Sequence, residues 1–392
     1  MRKIILRAVI LIFSLIITLS LSELLIRKIK PQLTFSEAVK LSIDCYAYDP
    51  LIPFTLGKNY KCKMVNIRGE YNTGATLNSY GYRGEEFDLE KKPGVTRIMV
   101  IGDSMTFGWG VADDVTYPFL LEKNLKSKLS TPVEVINAGY VGGLSVDSYY
   151  LYLKNRGLKL KPDILVLGFT VWNDISDLAE NVWLKVDKQG LPEQVNSCCH
   201  IVDGRIFRNR SIEFKFRYPI LRESHLFLLT IETLQKRFNL FKTPYMQVTR
   251  GEELMGCVLN PDCIHLFYQE EEKTYKILRE IKKLSDENNT KLLVVLFPVD
   301  LQLYANQKSK YESYGGKWFP QTGNEDFLQK RLGSFLNQNS ISYLDLYKFF
   351  VEQKNKDYPF FPIDAHFNKY GTQLVAENIS QYLFEKKWLS DK

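Results

Sequence analysis

The sequence has no C-x-x-C pair, no internal repeat and no low-complexity tract. Only four histidines occur in 392 residues: His200, His225, His265 and His366. With His265 lacking a helically spaced His partner, zinc is set aside and no metal is expected. Beyond residue 30 there is little excess of positive charge. Of the formal +7, residues 1–30 carry +5 and the rest +2. That leaves no concentrated footprint for nucleic acid. Apolar residues make up 45% and charged residues 25%. These shares exclude a mainly disordered chain, a collagen-like rod and a polytopic membrane protein.

What is present starts with the N-terminus. From Ile4 to Ser22 only Arg7 interrupts an uncharged, mostly apolar stretch. At 1.5 Å per residue it makes about 28 Å of helix, close to the ~30 Å hydrocarbon core. Arg7 can snorkel to the interface. A cleaved signal peptide would share the basic start. However, the stretch is long, and Leu19-Ser20-Leu21-Ser22 is a poor cleavage site. An uncleaved single-pass anchor is expected, in the cytoplasmic membrane, with the bulk of the chain outside. The six cysteines are Cys45, Cys62, Cys198, Cys199, Cys257 and Cys263. An even count suits an oxidising compartment. Cys45 and Cys62 lie close in sequence, as do Cys257 and Cys263, but six cysteines allow fifteen connectivities.

Residues 31–92 are turn-rich and read as a lead-in. Apolar runs then alternate with helical periods. Strands are expected at Arg97–Ile101, Val133–Ile136, Asp163–Phe169, Lys291–Phe297 and Ile341–Leu346. Helices are expected at Tyr117–Leu129, Ser145–Leu158, Gln269–Asn289 and Asn368–Lys386. This alternation implies a parallel sheet covered on both faces, spanning 93–388. Residues 180–268 break the rhythm and read as a lid-like insertion with one amphipathic stretch, Leu226–Phe241.

Four polar clusters sit where strands or turns end. Gly102-Asp103-Ser104-Met105-Thr106-Phe107-Gly108 follows the first strand. It suits a nucleophile whose own amide helps bind an oxyanion, or a plain turn. A phosphate loop would need a Lys that is absent. Asn137-Ala138-Gly139-Tyr140-Val141-Gly142-Gly143 lets backbone N–H groups approach a ligand, or makes a tight turn. Asn173, after the third strand, could donate to an oxyanion or cap a helix. Asp364-Ala365-His366 could provide an oriented general base.

In this order, the clusters resemble the SGNH (GDSL-type) hydrolase family. Met105 stands where the name-giving Leu would. Gly142 matches the second block best, with Gly139 as the alternative. Val171 replaces a Gly common in the third block, and the last block is D-x-H rather than D-x-x-H. The run Asn78–Gly84 and the anchor resemble membrane-anchored bacterial members. The resemblance implies a three-layer flavodoxin-like α/β fold and acyl transfer without metal or organic cofactor. It casts Ser104 as nucleophile, His366 as base and Asp364 as its orienting partner. The oxyanion hole would be the N–H groups of Ser104 and Gly142 with the side chain of Asn173. Asp103 and Asp174 read as structural, and Trp109 and Trp172 as core packing or sugar stacking. An esterase or deacetylase acting on O-acylated glycans or lipids is expected. A polysaccharide O-acetyltransferase and an inactive glycan-binding or assembly protein are the alternatives.

Overall fold

Five apolar runs make one parallel sheet, and their neighbours in sequence decide which side each face packs on. The computed structural model describes residues 2–66, 68–196, 199–202, 204–208, 214–238, 256–313 and 318–389. Its strands begin with β1 (Tyr46–Ala47), β2 (Thr55–Leu56), β3 (Tyr60–Val65) and β4 (Asn72–Leu77). Next come β5 (Thr96–Gly102), β6 (Val133–Gly139), β7 (Ile164–Thr170), β8 (Val182–Val186) and β9 (Pro192–Asn196). The last are β10 (Cys199–Val202), β11 (Arg205–Arg208), β12 (Lys291–Phe297) and β13 (Ser342–Asp345). The central sheet runs β13-β12-β7-β5-β6 and all its pairings are parallel. This is the doubly wound, flavodoxin-like order. The chain leaves β5 to one side and returns to β7 on the other, so the switch point lies between β5 and β7.

Alternation along each strand separates two cores. Met99, Ile101, Leu165, Leu167 and Val294 pack under the helices Val146–Asn155, Ile264–Glu287 and Phe327–Gln338. Ile98, Val100, Val166, Leu293 and Val295 pack under Tyr117–Lys126 and Lys369–Glu385. Each such buried side chain contributes about 1.5–3 kcal/mol. The helix Phe327–Gln338 is not anticipated from the sequence, because Gly333 weakens its helical pattern. A Cβ at Gly333 would lie 2.8 Å from the Tyr343 hydroxyl, so the glycine allows helix and strand to approach.

The chain divides into two compact units. One is Met1–Ser42 with Arg210–Gln247; the other is Ile43–Asn209 with Val248–Lys392. The 180–268 segment is therefore shared. Within the sheet unit, residues 182–196 form an antiparallel hairpin, and Cys199–Val202 pairs antiparallel with Arg205–Arg208. The helix His225–Phe238 belongs with the N-terminal helix Arg2–Ile29. Among the described residues, Arg2–Ile29 is the one helix long and apolar enough to cross a membrane.

Within the sheet unit, the lead-in is fastened by covalent and ionic links. Cys45 and Cys62 form a disulfide. Cys257 and Cys263 are buried free thiols, and the Cys257 thiol donates to the Cys263 carbonyl at 3.2 Å. Cys198 lies outside the described residues. Arg83, from the Asn78–Gly84 run, has a side chain only 1% exposed. It pairs with Asp113 at 2.9 Å and donates to the carbonyls of Phe107, Gly108 and Val111 at 2.8, 2.6 and 2.7 Å. The Phe107 and Gly108 carbonyls end the turn that begins at Ser104, where helical acceptors run out of partners, and Val111 lies just beyond it. Arg83→Ala should lower unfolding stability by about 3 kcal/mol, since a buried charge-assisted donor to three carbonyls and the Asp113 carboxylate is lost at once. Urea unfolding of the full chain in detergent checks this. A Lys at 83 should restore less than half of the loss, because one ammonium cannot reach all these acceptors.

Candidate active site

Ser104 opens a single helical turn, Ser104–Phe107, directly after β5. Asp103 caps it by accepting the Met105 N–H at 3.0 Å. Gly108, at φ 88°, ends it. As first residue of the turn, Ser104 has an N–H with no acceptor inside the helix. The turn is seated tightly on the strand ends. A Cβ at Gly139 would come within 2.3 Å of the Phe107 nitrogen. Gly139 thus serves close packing, whereas Gly142 and Gly143 take left-handed conformations, at φ 99° and 84°.

The loop before the helix Lys369–Glu385 brings the other two groups. Asn368 caps that helix through the N–H groups of Tyr370 and Gly371. Its amide also donates to the carbonyls of Tyr358 and Phe360. His366 is thereby held so that its Nε2 lies 2.7 Å from the Ser104 Oγ. Its Nδ1 bonds the Asp364 Oδ1. The short D-x-H spacing closes because Ala365 takes a left-handed conformation, φ 72°. That conformation costs an L-residue about 1–2 kcal/mol.

Two residues that the sequence did not single out, Tyr71 and Glu70, complete the arrangement together with Trp109. Tyr71 donates its hydroxyl to the Asp364 Oδ2 at 2.7 Å, and Trp109 donates its indole N–H to Tyr71 at 2.6 Å. Glu70 accepts the N–H groups of Ile363 and Asp364 at 2.5 and 2.9 Å. Glu70 and Tyr71 come from the turn between β3 and β4, almost 300 residues away in sequence. No local motif points to them. The signal that existed was the turn-rich lead-in itself, which carries apolar and acidic residues without a core of its own.

These contacts polarise the pair. Burial alone would lift the Asp364 carboxyl. The His366 charge and the hydrogen bonds from His366 and Tyr71 outweigh it and bring Asp364 down to about 2. Burial pushes His366 down, but the Asp364 carboxylate more than offsets that and raises it above its ordinary 6.5. Asp103, fully buried below, is raised by its burial.

Asn173 precedes the helix Asp174–Glu180 at the end of β7, beside the switch point. Its Nδ2 donates to Asp177 at 3.2 Å, and its Oδ1 is buried without a protein partner. Asp174 accepts the Thr170 N–H at 2.7 Å and the Tyr149 hydroxyl at 3.0 Å. Asp103 and Asp174 therefore both bond turn amides. Trp109 lies 6.2 Å from His366 between ring centres, and Trp172 meets Tyr311 edge-on at 5.0 Å. Among the described residues no group of three or more His, Cys, Asp or Glu could hold a metal.

No family model matches the chain, and no curated protein matches it. Solved structures similar to it include a lipase/acylhydrolase from Enterococcus faecalis, at 16% identity and a TM-score of 0.40. That alignment covers 76% of this chain and 98% of the other. An acetyl xylan esterase aligns at 15% identity and a TM-score of 0.38, covering 73% of this chain and 99% of its own. A two-domain esterase active on acetylated mannans aligns at 14% identity and a TM-score of 0.38. There the alignment covers 76% of this chain and 51% of the other.

Proposed function

We propose that this chain is a membrane-anchored serine esterase or deacetylase of the cell envelope, acting on O-acylated glycans or lipids. The observation that carries the reading is the continuous line of hydrogen bonds from Ser104 through His366 to Asp364. Ser104 Oγ attacks the acyl carbonyl carbon and its proton passes to His366 Nε2. Asp364 keeps the Nδ1–H tautomer and stabilises the imidazolium. The tetrahedral oxyanion is held by the N–H groups of Ser104 and Gly142 and by the Asn173 amide. As the intermediate collapses, His366 gives its proton to the departing alcohol, leaving acyl-Ser104. Water then attacks in the same way, releasing the acid and restoring Ser104. The helix Arg2–Ile29 is the anchor, and the Cys45–Cys62 disulfide suits an oxidising space outside the cytoplasmic membrane. Trp109, half-buried beside His366, offers a face for a sugar ring.

The test is p-nitrophenyl acetate hydrolysis by the full chain, with and without oligosaccharide acceptors, before and after a fluorophosphonate. Loss of activity with one adduct on Ser104 supports the reading. Full activity after complete labelling of Ser104 would overturn it. Acetyl diverted from water to sugar would make the chain an O-acetyltransferase.

Two substitutions grade the machinery. Asn173→Ala should lower kcat about 100-fold, the effect of one lost oxyanion donor. Tyr71→Phe removes one hydrogen bond to a charged carboxylate and should lower kcat about tenfold. Because Asp364 then presents more negative charge to His366, the rising limb of the pH–rate profile should move to higher pH. A purely structural role for Tyr71 would leave that limb in place.

A further inference from the structure

The N-terminal unit carries a second apolar feature that the anchor itself does not need. The segment 217–221, Arg-Tyr-Pro-Ile-Leu, is exposed throughout. Ile220 is 87% exposed, Tyr218 44% and Leu221 41%. A large aliphatic side chain this open is normal singly, but three apolar side chains together at one chain reversal mark a contact surface.

Its position is fixed by contacts within that unit. Glu23 follows the apolar stretch Ile4–Ser22, so it stands where the anchor leaves the hydrocarbon. Its carboxylate accepts the Ser224 hydroxyl at 2.8 Å, the His225 N–H at 3.0 Å and the Leu226 N–H at 2.8 Å. An acidic side chain at a helix start is favoured by the free N–H groups and the dipole. Beyond it, the Gln32 N–H donates to the His225 Nδ1 at 2.8 Å. The helix His225–Phe238 therefore starts at the level of Glu23, and the 217–221 segment lies immediately before that start. Arg222 stacks on Phe35 at 4.0 Å, and Phe35 meets Phe216 edge-on, which holds the segment against the residues after the anchor. In residues 23–42 and 214–238, nine Lys and Arg stand against four Glu.

We infer that the 217–221 segment is a membrane-docking loop, seating Tyr218, Ile220 and Leu221 in the interface of the same bilayer that Arg2–Ile29 spans. This rests on the anchor reading above. The composition fits that occupant: an aromatic with a polar tip and aliphatics for the acyl boundary, preceded by the exposed Arg217 for phosphate headgroups. A protein partner of the same shape would have to fit at headgroup level beside a membrane helix, where lipid is the standing neighbour.

The test places the photoreactive residue p-benzoylphenylalanine at position 220, and separately at 218, in the full chain. The chain is reconstituted in vesicles of phosphatidylethanolamine and phosphatidylglycerol. Both positions are exposed, and at 218 one aromatic replaces another, so folding is preserved. After irradiation, peptides are analysed for the mass of one phospholipid. The same probe at position 13, inside the anchor, is run in parallel. Lipid adducts at 13 and at 218 or 220 are the expected result. Adducts at 13 alone would overturn the docking loop and leave the anchor standing. Loss of adducts at all three positions would overturn the anchor reading together with the loop.

Discussion

Ser104→Ala should lower kcat for p-nitrophenyl acetate about 10⁴- to 10⁶-fold, while unfolding stability changes by less than about 0.5 kcal/mol. The two halves of this expectation have separate grounds. The Ser104 hydroxyl bonds His366 and is no part of the cap, which Asp103 provides. The turn is fixed instead by Arg83 and by the close seat at Gly139. Removing the hydroxyl takes away the attacking atom and little else. The double substitution Ser104→Ala with His366→Ala should be no slower than Ser104→Ala alone, because a base without its nucleophile has nothing to deprotonate. Equal activity of the Ser104→Ala protein and the parent would remove Ser104 from the chemistry.

Asp364→Asn should cost about 10⁴-fold in kcat. The carboxylate accepts from two donors at once, His366 Nδ1–H and the Tyr71 hydroxyl. An amide accepts with its oxygen only and presents an NH₂ to the second donor. If that NH₂ faces His366, the ring takes the other tautomer and its Nε2 carries the proton, so it cannot receive one from Ser104. The sign of the pH effect follows from the charges. His366 is raised above 6.5 by Asp364, and only neutral His366 acts as base, so activity rises through a limb above 6.5. Without the carboxylate the limb should move to lower pH, opposite to the shift expected for Tyr71→Phe. Stability follows the same pair. The raised His366 contributes below its unfolded pKa, and that contribution is lost as pH rises through the folded value. The lowered Asp364 contributes above its usual range near 3.8 and loses that as pH falls towards 2. Initial rates and melting temperatures across pH for the three proteins check both signs.

The sheet was legible because its strands are short apolar runs between periodic helices. All five expected strands match β5, β6, β7, β12 and β13 to within three residues. Their order in the sheet followed from the resemblance rather than from periodicity, since parallel strands carry no mark of their neighbours. Helix ends were less legible. The long helix begins at Ile264 rather than Gln269, because its first turn follows the Cys257–Cys263 loop without a side-chain cap. The residues brought together as Ser104, His366 and Asp364 each stood in a local motif. Tyr71 and Glu70 did not, and Arg83 stood in the Asn78–Gly84 run without a readable role, because what recruits them is tertiary. A hairpin with alternating burial, β3 and β4, has too little apolar surface to stand alone and must lie on something. What it lies beside could not be read from its own residues.

The distances along the chain between the joined groups have a consequence for the order of synthesis. Tyr71 and Arg83 leave the ribosome before the turn they support, but His366 follows Ser104 by 262 residues. At about 5–20 residues per second, that gap lasts roughly 13–50 s. During this interval the nascent chain holds a serine with no base and an aspartate partner still unmade. On the proposed mechanism, a chain ending anywhere before the final loop should be chemically silent however well its first strands have paired. Pulse-chase with a fluorophosphonate would show this as labelling confined to full-length product. On the proposed reading, activity should therefore appear only once the loop carrying Asp364 and His366 has been made.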